Sequence, residues 1–286
     1  MKLGISSYSF KNVMNTEGLS YIDICDKAKA MGFEGIEFSG IETEKYSHGE
    51  SDLECAVNIA KHCKEIGLEV INFAVGANFL NEDKEAEMKK LFHSVDLAEA
   101  LGAPVMRHDV CYKLPKKHLY NWEDAMEEMA PYIRRVTEYA ASKGIRTCTE
   151  NHGYIFQAPN RVEALIRAVG SENYGWLCDM GNFLCADADP LKSVAIAAPY
   201  TFHVHAKDFI FKSAAEGKPD GFVTTTGGNF LRGTVLGHGI VPVKECIGIL
   251  KKAGYDGWLS LEFEGLEDNI TAIELGYAYL RKHAAE

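Results

Sequence analysis

The chain has 286 residues, with 30 Lys and Arg against 41 Asp and Glu, 10 His and 47% apolar side chains. A formal charge of −11 repels a polyphosphate backbone over most of the surface, and no run of Lys and Arg concentrates a basic patch, so a nucleic-acid partner is not expected. No apolar stretch approaches the ~18 residues of a membrane helix, and Met1-Lys2-Leu3-Gly4-Ile5-Ser6-Ser7 lacks the basic and apolar regions of an export signal. The eight cysteines form no Cys-x-x-Cys pair and read as packed, reduced thiols, which points to a cytoplasmic protein.

In chain order, β-type runs occur at 3–8, 35–38, 69–74, 104–108, 146–150, 174–179, 201–207 and 258–263. Between them, apolar residues at i, i+3 and i+4 predict helices over 19–31, 53–66, 85–101, 122–143 and 162–169, a short one near 191–197, then 243–253 and 270–282. Five helices lead into the next strand through a glycine suited to the left-handed C-terminal position: Gly32, Gly67, Gly102, Gly144 and Gly254. One supersecondary unit is thus used repeatedly. With no linker or composition shift, eight βα units predict a single α/β domain over 1–286, a closed parallel (β/α)8 barrel, with an open doubly wound sheet as the alternative. A Gly-x-Gly-x-x-Gly dinucleotide fingerprint is absent after the first strand. One connection breaks the rhythm. From about 209 to 239 the chain passes Pro219-Asp220-Gly221, Gly227-Gly228-Asn229 and Gly237-His238-Gly239, and is expected to form a long loop over the C-terminal face.

Barrel sites lie at the C-terminal strand ends, so the polar residues closing each strand carry the argument. The fifth strand ends in Glu150-Asn151-His152, the sixth in Asp179-Met180-Gly181-Asn182, the seventh runs His203-Val204-His205-Ala206-Lys207-Asp208, and the eighth offers Glu262-Phe263-Glu264. Four consecutive strands deliver Glu, Asp, His and Glu to one rim, where carboxylates so close together need a cation to relieve their repulsion. Hard oxygens with one imidazole favour Mn²⁺, with Co²⁺, Mg²⁺ or Zn²⁺ as alternatives. His203 and His205 face the same way, and His205 lies nearer the rim and is the expected ligand; for Glu262 and Glu264, parity alone does not choose.

The segments Arg232-Gly233-Thr234-Val235-Leu236-Gly237-His238-Gly239 and Gly254-Tyr255-Asp256-Gly257-Trp258-Leu259-Ser260-Leu261-Glu262, with the His-x-His-x-Lys-Asp strand and Glu150-Asn151-His152, resemble the sugar phosphate isomerase/epimerase family of xylose isomerase-like TIM barrels. The resemblance implies metal ligands at Glu150, Asp179, His205 and Glu262, with Glu150 and Glu262 as the acid/base pair. Two residues depart from the ketose 3-epimerases of that family: Asn182 stands where they commonly carry His, and Phe211 where they carry Arg. The extra His and Asp ligands of the endonuclease IV relatives are not found.

Such a site supports proton transfer at carbon next to a carbonyl, with a metal ion stabilising the enediolate. The expected activity is a divalent-metal-dependent isomerase or epimerase of a sugar or sugar phosphate. A lyase that dehydrates a keto-inositol or keto-sugar is the alternative; a non-catalytic partner subunit or a nuclease is disfavoured. His152 is a further base or hydroxyl ligand, and Lys207, in register with His205, is expected to line the site. Arg107, His108, Asn182, Arg232 and His238 are the remaining substrate contacts considered. The expected partner is a small sugar-like molecule, and a homo-oligomer is compatible with the architecture.

Overall fold

In the computed structural model, which describes residues 1–47 and 49–285 of the expected 1–286 domain, eight parallel strands close into a barrel. They are β1 (Lys2–Ser6), β2 (Gly35–Ser39), β3 (Glu69–Val75), β4 (Val105–His108), β5 (Arg146–Glu150), β6 (Tyr174–Asp179), β7 (Thr201–Ala206) and β11 (Trp258–Leu261). Each pairs with its sequence neighbour, and β11 closes the ring between β7 and β1. The first expected strand is shorter than its apolar run because Ser7–Phe10 turns into a 3-10 helix.

The outer layer holds α2 (Tyr21–Met31), α4 (Asp52–Ile66), α5 (Lys84–Leu101), α6 (Trp122–Ser142), α7 (Pro159–Val169), α8 (Pro190–Ala197), α9 (Val243–Lys252) and α10 (Asn269–Ala285). Two further short helices, α1 (Lys11–Glu17) and α3 (Thr43–Tyr46), carry too few apolar positions to show a period. Capping boxes begin α2, α4 and α6, where the side chains of Ser20, Ser51 and Asn121 accept backbone N–H groups and Asp23, Glu54 and Asp124 answer in return. The five glycines expected to end helices all have positive φ, between 69 and 100°.

Apolar side chains on the outer faces of the strands, such as Ile36, Phe38 and Trp176, pack with helix residues such as Ile24, Ile59 and Leu165 in one continuous core. Inside, Ile71 and Trp258 close the N-terminal end against glycines. A Cβ on Gly4 would stand 2.3 Å from Ile71 Cδ1, and one on Gly35 2.5 Å from Ile71 Cγ2. The other end of the barrel interior is polar.

The segment expected as a long loop is instead ordered as a three-stranded antiparallel sheet, β8 (Asp208–Lys212), β9 (Val223–Thr224) and β10 (Phe230–Thr234), in the order β8-β10-β9. Buried Asp208 anchors its two ends, accepting from the backbone N–H groups of Phe209, Gly237, Gly239 and Val241 at 2.8 to 2.9 Å. Asp187, after β6, holds the β9–β10 turn through Thr225, Gly227 and Asn229. Turn residues hide this sheet from a period-based reading, because the strands are short and their alternation is broken by glycine.

Candidate metal centre and active site

The inward faces of β5, β6 and β7 and the residue that follows β11 bring Glu150, Asp179, His205 and Glu262 together, with one donor atom of each lying within 4.8 Å of the others. His205 Nδ1 stands 3.7 Å from Glu150 Oε1, 3.7 Å from Asp179 Oδ2 and 3.5 Å from Glu262 Oε2. These separations exceed good hydrogen bonds, and Asp179 Oδ2 and His205 Nδ1 are buried with no hydrogen-bond partner. Donors about 2.1 Å from a common tetrahedral ion would be about 3.4 Å apart. The spacing and the orphaned His205 Nδ1 therefore fit a bound cation, as does Asp179 Oδ2, which has an ion pair to Lys207 Nζ at 3.3 Å but no hydrogen bond.

Three of these four candidate ligands, Asp179, Glu150 and His205, are held from behind. Asp179 Oδ1 accepts from the backbone N–H groups of Gly181 and Asn182, both at 2.8 Å, which turns Oδ2 into the site. Asn151 ties β5 to β6: its side chain accepts from Trp176 Nε1 and Asp179 N and donates to the Asp179 carbonyl. Glu150 Oε2 meets Arg107 Nη2 at 2.7 Å, and Glu150 Oε1 accepts from Asn182 Nδ2 at 2.8 Å. Burial opposes its ionisation, but Arg107 and His205 outweigh that and hold the carboxyl well below the usual range.

Behind His205 stands Glu37, a residue missing from the sequence-derived set. Its carboxylate, fully buried, meets His205 Nε2 and His203 Nε2, each at 2.6 Å, and takes a longer contact from Asn72 Nδ2 at 3.3 Å. An isolated buried carboxylate costs several kcal/mol, so the two imidazoles are what allow Glu37 to remain charged, and in return it leaves His205 Nδ1 facing the ligands. The signal was present: Glu37 is the one acid in the run Gly35-Ile36-Glu37-Phe38.

A cavity of about 470 Å³ opens beside the ligand set, lined in part by Tyr8, Phe73, Arg107, Asp109, His152, Lys207 and Glu264. Lys207 Nζ lies 2.6 Å from Glu262, 3.3 Å from Asp179 and 3.3 Å from Glu264. Burial would strip its proton, but these acids raise its pKa well above the ordinary value, while Lys207 and His205 draw Glu262 down to about 2 against the effect of burial. Burial pushes Glu264 up. Across the cavity, Asp109 Oδ1 receives Arg107 Nη2 at 2.7 Å and His152 Nδ1 at 2.9 Å. Sequence reading passed over Asp109 because it stands in the loop after β4, where no period marks an inward direction.

The expected contacts separate into two groups. Arg107, His152 and Lys207 line the cavity, and Asn182 braces Glu150 beside it. His108 points the other way, against Phe79 and Tyr174 behind the sheet. Arg232 meets Glu267 at 3.2 Å and His238 is exposed, and neither lines the cavity.

A family model described as the xylose isomerase-like TIM barrel matches residues 25–283. The chain belongs to that family. It is 25% identical to the rhizopine catabolism protein MocC of Rhizobium meliloti, over 100% of this chain and 89% of that protein. Inosose dehydratase of Erwinia tasmaniensis is 24% identical over 93% of this chain and 90% of its own length. Among solved structures, the fold matches L-ribulose 3-epimerase with a TM-score of 0.75 at 18% identity, covering 99% of this chain and 94% of that one. It also matches the IOLI protein with a bound zinc atom, with a TM-score of 0.76 at 15% identity, covering 100% and 98%.

Proposed function

We propose that this protein is a divalent-metal-dependent dehydratase of a cyclic polyol ketone or keto-sugar, which removes the proton next to the carbonyl and expels a β-hydroxyl as water. The observation that carries this reading is the occupation of both Glu150 oxygens, by Arg107 and Asn182. A carboxylate clamped in this way serves as an anionic ligand and is a poor proton carrier, which moves that role from Glu150 to His152. His152 is half exposed and lines the cavity, and its Nδ1 is engaged by Asp109, which leaves Nε2 as the nitrogen to meet a substrate. Lys207, an ammonium held among Asp179, Glu262 and Glu264, is placed to give a proton to the departing hydroxyl. Glu150, Asp179, His205 and Glu262 would hold the ion, which supplies Lewis-acid stabilisation of negative charge on the substrate oxygens. Mn²⁺ remains our first choice for this oxygen-rich set, and zinc in the IOLI structure supports a divalent ion in general. The inosose dehydratase relatives support water loss.

Isomerisation or epimerisation is the second reading. It is favoured by Glu262, whose Oε1 is not taken up by Lys207 and which could return the proton from a second direction. The eight buried free cysteines support a reducing, cytoplasmic setting.

Incubation of inosose and a panel of ketoses in deuterated water with protein and Mn²⁺, followed by mass spectrometry, tests both readings. Dehydration gives a product lighter by one water, whereas epimerisation or isomerisation gives deuterium in a species of unchanged composition. Absence of either change across the panel, with metal bound, counts against both.

A further inference from the structure

His152 follows β5, and its side chain is 46% exposed, so packing alone leaves its ring free to turn. Which nitrogen faces the cavity is decided by hydrogen bonding. Asp109 supplies that bond from a buried position: its Oδ1 meets His152 Nδ1 at 2.9 Å. The Asp109 carboxylate is itself pinned. Arg107 Nη2 donates to Oδ1 at 2.7 Å and Tyr112 Oη donates to Oδ2 at 3.1 Å. Its backbone is fixed as well, with the N–H on the Val75 carbonyl at 3.2 Å and the carbonyl accepting from His108 Nδ1 at 2.9 Å. The same Arg107 Nη2 reaches Glu150 Oε2 at 2.7 Å. One guanidinium nitrogen therefore joins a metal-ligand carboxylate to the acid that orients the imidazole, and the distance between the two arms of the site is set by rigid groups.

We propose that Asp109 is a positioning residue for the reaction, holding His152 in the Nδ1–H tautomer so that the bare Nε2 faces the cavity. The inference rests on the reading of His152 as the proton-transfer group. A carboxylate accepting from one imidazole nitrogen selects the tautomer in which the other nitrogen carries the lone pair, which is the state a general base requires. Without it, an exposed ring samples both tautomers and several orientations. The loss then falls on turnover, because a misdirected base is not a lost binding contact.

The test uses the full chain labelled with ¹⁵N-histidine, metal-free and Mg²⁺-loaded, at a pH where the ring is neutral, with the His152 signals identified by their loss in His152→Gln. The expected wild-type spectrum shows His152 protonated at Nδ1 and bare at Nε2. Asp109→Ala is expected to give a tautomer mixture, with kcat for α-proton exchange of inosose, or of the ketose that exchanges best, reduced about 100-fold and KM changed less than about threefold. Asp109→Asn keeps the side-chain volume and one acceptor oxygen, serves if the alanine protein does not fold, and is expected to lie between the two. Wild-type His152 carrying its proton on Nε2 overturns the inference, as does an Asp109→Ala protein that keeps the Nδ1–H form or loses less than about threefold in kcat. Exchange unaffected in His152→Gln removes the proton-transfer role and with it the purpose of the positioning, while an intact wild-type tautomer would show that the Asp109 bond itself had been read correctly.

Discussion

His205 and His108 are both essentially removed from solvent, at 2% and 0% exposure, yet their surroundings drive them in opposite directions. His205 lies on the inner face of the barrel. Burial disfavours its charge, but Glu37 and Glu262 outweigh burial and raise its pKa well above the ordinary value in the metal-free protein. His108 lies on the outer face, against Phe79 and Tyr174, where burial dominates and lowers its pKa to about 4. Depth alone does not decide the charge of a buried imidazole; carboxylate partners do. A cation entering the inner site replaces the proton on His205, so binding should release protons, whereas the outer histidine is a neutral packing group.

The sharpest break in this contrast is His205→Ala, expected to lower Mn²⁺ affinity by more than about 100-fold in calorimetric titration, beyond the usual cost of losing a supporting partner. The outer histidine should appear in stability. Its folded pKa lies below the ordinary 6.5, so its contribution is complete above pH 6.5 and shrinks as pH falls toward 4, by on the order of 3 kcal/mol. Urea unfolding at several pH values should show that loss, and His108→Phe should make the slope in this window shallower; an unchanged slope would rule out His108 as its source. Glu37→Gln should weaken Mn²⁺ about 10- to 100-fold by loosening His205 while leaving it present. The smallest effects are expected at Arg232→Gln and His238→Ala. Both residues lie outside the cavity, so α-proton exchange rates should stay within about threefold of wild type.

The convergence of the four candidate ligands was legible because each closes a strand, and strand direction in a parallel barrel points all such ends to one rim. Their supports were less legible for different reasons. Glu37 could have been singled out as an acid inside an apolar strand, but nothing local indicates that its partners would be His203 and His205, more than 160 residues away. Asp109 and Tyr112 lie in a connection, where side-chain direction has no period. Arg107 was named as a substrate contact; its ion pairs with Glu150 and Asp109 turn it into a brace between the two arms. The sheet formed by β8, β9 and β10 was hidden by glycine-rich turns, although the position of the excursion after β7 was evident.

By itself, the sequence determined the alternation of strands and helices, the glycine joints and the acids and histidine at the strand ends, because these depend on spacing along a chain of known local geometry. Only the tertiary structure decided which oxygens of those acids are occupied and which are free. Glu150 is clamped and His152 Nδ1 is engaged because Arg107, Asp109 and Asn182 arrive from β4, its following loop and the turn after β6. Contacts of 2.7 to 2.9 Å between residues of neighbouring βα units depend on the pairing of their strands and have no counterpart in the order of residues.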